Sequence, residues 1–115
     1  MKTDQANDFL PLAPAVLHIL LALAAEDLHG YGIMQEIEKH SDGRYKIGPG
    51  TLYDNLQRLM DRGLVHEVSK PEQARRRYYR LTTLGRGVLA ADISRLERVV
   101  RDGKLRLTSA KPRRA

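Results

Sequence analysis

A chain of 115 residues with 42% apolar and 30% charged side chains has room for one folded domain with a modest core, and this composition argues against a wholly disordered chain, a collagen-like repeat or a multi-span membrane protein. No cysteine is present, which rules out a disulfide framework, thiolate zinc sites and a cysteine nucleophile and fits a cytoplasmic location. The net charge of +6 is unevenly spread: two basic and six acidic side chains in residues 1–40, nine and five in 41–80, nine and three in 81–115, a distribution suited to a polyanionic partner, either nucleic acid or an anionic membrane surface.

Residues 1–12 are polar and are expected to form a flexible N-terminal arm. Residues 15–25 are strongly apolar, and Ala22-Leu23-Ala24 has the look of a signal-peptidase site. Lys2 is offset by Asp4 and Asp8, however, and Pro11, Pro14 and His18 interrupt the pattern. The run is also far short of the ~20 residues that span a bilayer. It reads instead as a core helix opened by Pro14 and apolar nearly all round, with His18 a satisfied core histidine.

Residues 27–30 form a break. A second helix follows over 31–39, with Ile33, Met34 and Ile37 inward, and Ser41-Asp42-Gly43 ends it. In the third helix, which opens after Ile47-Gly48-Pro49-Gly50, Leu52, Leu56, Leu59 and Met60 fall on one face, and Gly63 marks the stop. Residues 64–69 and 77–81 read as two antiparallel strands, Tyr79 and Leu81 on one face, Tyr78 and Arg80 on the other. The loop between them holds Lys70, Pro71, Arg75 and Arg76.

Thr82 or Thr83 can cap a last long helix, weakened in its first turn by Gly85 and Gly87 unless close packing needs them. Leu89, Ile93, Leu96 and Val100 repeat at +4, +3, +4, the spacing of a helix–helix seam. Gly103 is expected to end the regular stretch. The expected fold is mainly α with a two-stranded β-hairpin: a winged helix-turn-helix over 13–82, a long C-terminal dimerisation helix over 83–107, and a disordered basic tail over 108–115. The seam needs a partner, and a second copy is the simplest one.

Three blocks carry a resemblance to a known family. They are Leu28-His29-Gly30-Tyr31-Gly32-Ile33; Gly50-Thr51-Leu52-Tyr53 continuing through Leu56, Arg58, Leu59 and Arg62 to Gly63-Leu64-Val65; and Arg76-Arg77-Tyr78-Tyr79-Arg80-Leu81-Thr82 with Gly85. In this order and spacing the chain resembles the PadR-type transcriptional regulators over about residues 14–100, and its short C-terminal part resembles the small subfamily with a single dimerisation helix. The resemblance implies a homodimeric repressor on a pseudo-palindromic operator, released by a small-molecule effector of unspecified chemistry. There are departures. The chain has no tryptophan, on which some small members stack planar drugs; Met60 stands where an acidic residue is common; and Asp54 would repel phosphate.

The third helix is the expected reader of the major groove, its start facing DNA. With the leucines inward, Thr51, Asp54, Asn55 and Arg58 are left near the outer surface. Asn55 suits adenine, Arg58 guanine or a phosphate, and the backbone N–H groups at Gly50 and Thr51 a phosphate. Tyr53 either donates its hydroxyl to a phosphate or packs between helix and wing. Arg75, Arg76 and Arg77 would follow the backbone from the wing, with Lys46 and Arg44 as further phosphate contacts. Lys111, Arg113 and Arg114 suit nonspecific contact only.

Glu36 and His40 have chelating i, i+4 spacing, but two ligands do not make a site, and neither a metal nor a cofactor is expected. No catalytic motif is recognisable and no enzyme is expected. A membrane-surface role for the last helix is disfavoured, because Arg95, Arg98 and Arg101 accompany a narrow seam. The functional expectation is a dimeric, sequence-specific regulator on double-stranded DNA. Its alternative is a winged-helix protein-interaction module whose charge serves solubility.

Overall fold

The computed structural model describes residues 2–70, 72 and 75–109. The expected basic tail from residue 110 onward, with Lys111, Arg113 and Arg114, lies outside the described residues. The elements in chain order are α1 (Lys2–Asn7), α2 (Pro14–Leu23), β1 (Leu28–His29), α3 (Gly30–His40), α4 (Pro49–Asp61), β2 (Val65–Val68), β3 (Tyr78–Leu81) and α5 (Thr83–Ser109).

Three helices converge on one core. Proline starts α2 and α4, where its missing N–H costs nothing and its fixed φ suits the first turn. Ile19, Leu20 and Leu23 of α2 meet Ile33 and Ile37 of α3, and α4 adds Leu52, Leu56 and Leu59. All are buried, and the spacing that predicted the α4 face is the spacing that fills the core. Gly63, with φ +80°, ends α4, and the Leu64 N–H donates back to the Leu59 carbonyl at 2.9 Å.

Among the described residues the sheet has three strands, not the two expected. Its order is β1-β3-β2, all antiparallel. The expected break at residues 27–30 contains β1, whose Leu28 and His29 pair with Tyr79 and Tyr78. The short segment borrows its extended form from an existing strand edge. Val65 pairs with Leu81 and Val68 with Tyr78 across the wing hairpin. Tyr79 and Leu81 are buried while Arg80 is exposed, as strand alternation requires.

Asp27 ties this sheet to the end of α2. It accepts two hydrogen bonds from Arg80, at 2.8 and 2.7 Å, and lies 2.9 Å from Lys70 Nζ. The Arg80 guanidinium, then the Lys70 ammonium, hold its carboxyl well below the usual carboxylate range.

The N-terminal segment corrects the expectation of a flexible arm over 1–12. Residues 2–7 form α1, which packs on α5 with Ala6 buried. Phe9, Leu10 and Leu12 then pack against the core, and the Arg62 guanidinium lies 4.4 Å above the Phe9 ring. The polar composition hid these apolar anchors.

At the start of α5, Thr82 is the cap. Its hydroxyl donates to the Gly63 carbonyl at 2.6 Å and accepts from the Gly85 N–H at 2.9 Å. A Cβ at Gly85 would sit 2.0 Å from the Leu64 carbonyl oxygen, so close packing does need this glycine. Gly103 does not stop the helix, which runs unbroken to Ser109 over 27 residues. Good helix formers on both sides of Gly103 outweigh its cost of about 1 kcal/mol. The start of the expected seam also changes: Leu89 is covered by its own chain, whereas Ile93 and Val100 are exposed and Leu96 is half-buried. From Glu97 to Ser109 every residue but Gly103 is exposed.

His18 is half-buried and paired rather than enclosed in the core. Its Nδ1 lies 3.0 Å from His40 Nε2, and its ring stacks on Tyr45 at 4.2 Å. Burial, then the neighbouring His40, lower its pKa. Among the described residues no group of three or more His, Cys, Asp or Glu side chains converges to hold a metal. Among them also, no helix is long and apolar enough to cross a membrane.

Candidate nucleic-acid interface

The wing and the helix-turn-helix meet in an open cleft of about 560 Å³. Three elements build it. The wing supplies Arg75, Arg76 and Arg77, all exposed. α4 supplies Tyr53, 48% exposed, and the entry to α3 supplies His29, Gly30 and Tyr31. The buried Tyr79 of β3 forms the floor, and burial raises its phenol pKa. Among the described residues no carboxylate lines this cleft. Three guanidiniums, the exposed Tyr31 and Tyr53 and the start of α3 therefore line one opening, a donor-rich surface suited to an anion.

Local geometry explains the arrangement. Leu28 and His29 are held extended against β3, so α3 begins beside the wing. His29 caps α3, its Nδ1 accepting from the Gly32 N–H at 3.0 Å. Its ring packs edge-on to Tyr78 at 5.4 Å, and its Nε2 lies 2.7 Å from Arg76 Nη1. Burial, then the Arg76 charge, lower the His29 pKa. A Cβ at Gly30 would fall 2.0 Å from the Tyr53 hydroxyl. The absence of a side chain at Gly30 thus lets Tyr53 lie across the start of α3.

The expected site residues divide. Tyr53 and Arg75, Arg76 and Arg77 come together in the cleft. Gly50 and Thr51 are exposed in the first turn of α4, whose N-cap is Gly48. Lys46 is exposed and 3.8 Å from Glu38. Asn55 and Arg58 lie elsewhere: they line a second groove of about 360 Å³ with Phe9 and Pro11 of the N-terminal segment and Val16 of α2. Asn55 is half-buried, and its amide donates to the Thr51 carbonyl at 2.9 Å within its own helix. The wing arginines also border a third hollow beside Glu67 and Lys70 on the outer side of the hairpin.

Sequence reasoning missed His29 and Tyr31 as members of the cleft. Both lie in a block that carries the family resemblance, yet the approach of His29 to the wing depends on a contact spanning 47 residues. The N-cap pattern at a helix start was the one local signal available.

Comparison with known proteins agrees with this architecture. Residues 17–91 match the family model described as "Transcriptional regulator PadR-like family". The chain is 39% identical over 87 residues to the transcriptional regulator Rv3488 of Mycobacterium tuberculosis, covering 75% of this chain and 78% of that protein. A transcriptional regulator from Clostridium thermocellum, Cth-833, shares 27% identity with a TM-score of 0.62, over 94% of this chain and 96% of the other. PadR of Bacillus subtilis, solved in complex with operator DNA, shares the fold at 22% identity and a TM-score of 0.60, over 70% of this chain and 46% of that one. With the winged helix, the sheet order and the long last helix all in place, the chain belongs to the PadR-like family of transcriptional regulators.

Proposed function

We propose that this regulator binds double-stranded DNA in a sequence-specific manner as a homodimer, represses transcription in the cytoplasm, and is released by a small-molecule effector. The observation that carries the reading is the carboxylate-free cleft where Arg75, Arg76 and Arg77 meet Tyr53 beside the start of α3. Gly50 and Thr51 are exposed in the first turn of α4, just before Tyr53 in the same helix. In this reading α4 enters the major groove and the wing follows the backbone. Arg58 and Asn55, on the flank of α4, are secondary contacts, and Lys46 reaches a phosphate once it leaves Glu38.

The dimer forms along α5. Ile93, Leu96 and Val100 border one groove, and the same spacing continues through Gly103 to Leu107. Gly103 then serves as a close-approach point in the seam. Two copies would present their reading helices about 34 Å apart, one helical turn of DNA. An effector would shift operator affinity by binding two dimer geometries unequally.

The test is selection of bound sequences from random duplex DNA, then salt titration of the winner against a scramble. An enriched inverted repeat with strongly salt-dependent affinity is the expected result. Arg76→Ala should weaken binding to both duplexes and lower the salt slope by about one. Equal weak binding to every duplex, unaltered by Arg76→Ala, would favour the protein-docking alternative.

A further inference from the structure

His29 makes two contacts that a single imidazole cannot satisfy together. Nδ1 faces the Gly32 N–H at 3.0 Å, and Nε2 faces Arg76 Nη1 at 2.7 Å. Both neighbours are donors. A neutral imidazole has one lone pair to offer, so one contact must set donor against donor. The Gly32 N–H is fixed in the backbone and is one of the orphan donors of a helix start. Arg76 is exposed and long, and can swing away at little cost. The proton therefore belongs on Nε2. The 2.7 Å approach then sets two N–H donors against each other at the edge of the cleft that both residues line, with no acceptor shared by them among the described residues.

We propose that His29 Nε2–H and an Arg76 N–H form a two-donor clamp for one phosphate oxygen of the DNA backbone. This rests on the DNA-binding reading above and names a contact within it. When Arg76 swings aside, an anionic oxygen can enter beside His29 Nε2, accept from both side chains and remove the donor conflict. The clamp lies in the cleft that also holds Arg75, Arg77 and Tyr53. The Tyr78 ring against His29 keeps the imidazole aimed outward. Capping and clamping are coupled: the bond from Gly32 fixes the tautomer, and the tautomer makes His29 a donor.

The experiment uses the full chain. A long-range 1H–15N spectrum at pH 7.5 should show His29 with its proton on Nε2; a proton on Nδ1 would overturn the proposal. His29→Asn keeps a capping oxygen for Gly32 but ends short of the clamp. This variant should unfold at the wild-type denaturant midpoint and bind both selected and scrambled duplex about tenfold more weakly, the loss expected of one hydrogen bond to a charged acceptor. Adding Arg76→Ala should cost little beyond either single change, since both donors serve one oxygen. Wild-type affinity in His29→Asn, or single losses that multiply in the double variant, would refute the clamp. If the wild type binds no duplex, the DNA reading fails by itself, and inorganic phosphate decides the clamp. Saturable movement of the His29 signals in the wild type, absent in Arg76→Ala, would assign it to a free phosphate; no movement would end it.

Discussion

Two glycines two positions apart at the start of α5 should answer the same substitution with opposite signs. At Gly85 an added Cβ would lie 2.0 Å from the Leu64 carbonyl oxygen and 3.0 Å from its carbon, against 3.4 Å for ordinary contact. Backbone is the obstacle, so α5 must move off the start of β2. That movement stretches the bonds from the Thr82 N–H to Leu64, now 3.0 Å, and from the Thr82 hydroxyl to Gly63, now 2.6 Å. Two weakened bonds cost about 1 kcal/mol each. Displacing the buried Val88 and Leu89 costs a further ~1–2 kcal/mol. The helix propensity of alanine returns about 1 kcal/mol. Gly85→Ala should therefore destabilise by about 2–3 kcal/mol, or roughly 10 °C in Tm. At Gly87 nothing lies within 4 Å of the added Cβ, and Gly87→Ala should stabilise by up to about 1 kcal/mol. Urea unfolding at a single protein concentration, followed by circular dichroism, measures both. Midpoints that move in the same direction would refute the close-approach argument.

Further outcomes are expected. Ile93→Asp with Leu96→Asp should leave a folded monomer in sedimentation, because both side chains border the α5 groove; a surviving dimer would place the interface elsewhere. Asp27 has a depressed carboxyl pKa, so its contribution is present above about pH 4 and is lost as pH falls through the folded value. Asp27→Asn should thus be less stable than wild type by ~1 kcal/mol at pH 7, and the gap should close in acid unfolding. His18 is also depressed, so folding strength should fall as pH drops below about 6.5, and His18→Gln should flatten part of that decline between pH 7.5 and 5.5. His29 shifts in the same direction and keeps the remainder. Gly30→Ala should push the Tyr53 ring out of the cleft and lower duplex affinity with little change in unfolding midpoint; unchanged affinity would remove Tyr53 from the interface.

What the sequence made legible followed from local repetition. The α4 leucines recur at helical spacing, and all three are buried. Tyr79 and Leu81 alternate with Arg80 as a half-buried strand should. The arginine run at 75–77 was readable because charge needs no tertiary context. What stayed hidden was set by distant partners. β1 is two residues long, too short to alternate, and its strand character comes from Tyr78 and Tyr79 some fifty positions on. α1 was concealed because Ala6, its buried residue among those described, is a weak apolar signal in a polar stretch. His29 showed no ligand-like spacing, and only the fold brings Arg76 to its Nε2. Asn55 looked outward by helical phase, yet its amide turns back to Thr51 and the N-terminal segment crowds its flank.

The far half of α5 has a consequence for how order is distributed along the chain. Its near half is pinned by Val88, Leu89 and Asp92, all buried, so the helix is already nucleated where it leaves the body. Beyond Glu97 its own chain gives almost no cover: Val99, Val100, Leu105 and Leu107 are between 53% and 83% exposed. Elongation there needs no new nucleus but gains no packing. Amide exchange should consequently quicken steadily from Val100 toward Ser109 in dilute solution. When a second copy covers the stripe, the gradient should level into one protected block. The helix end would then report how much protein surrounds it, and its exchange rate would register assembly before any DNA is added.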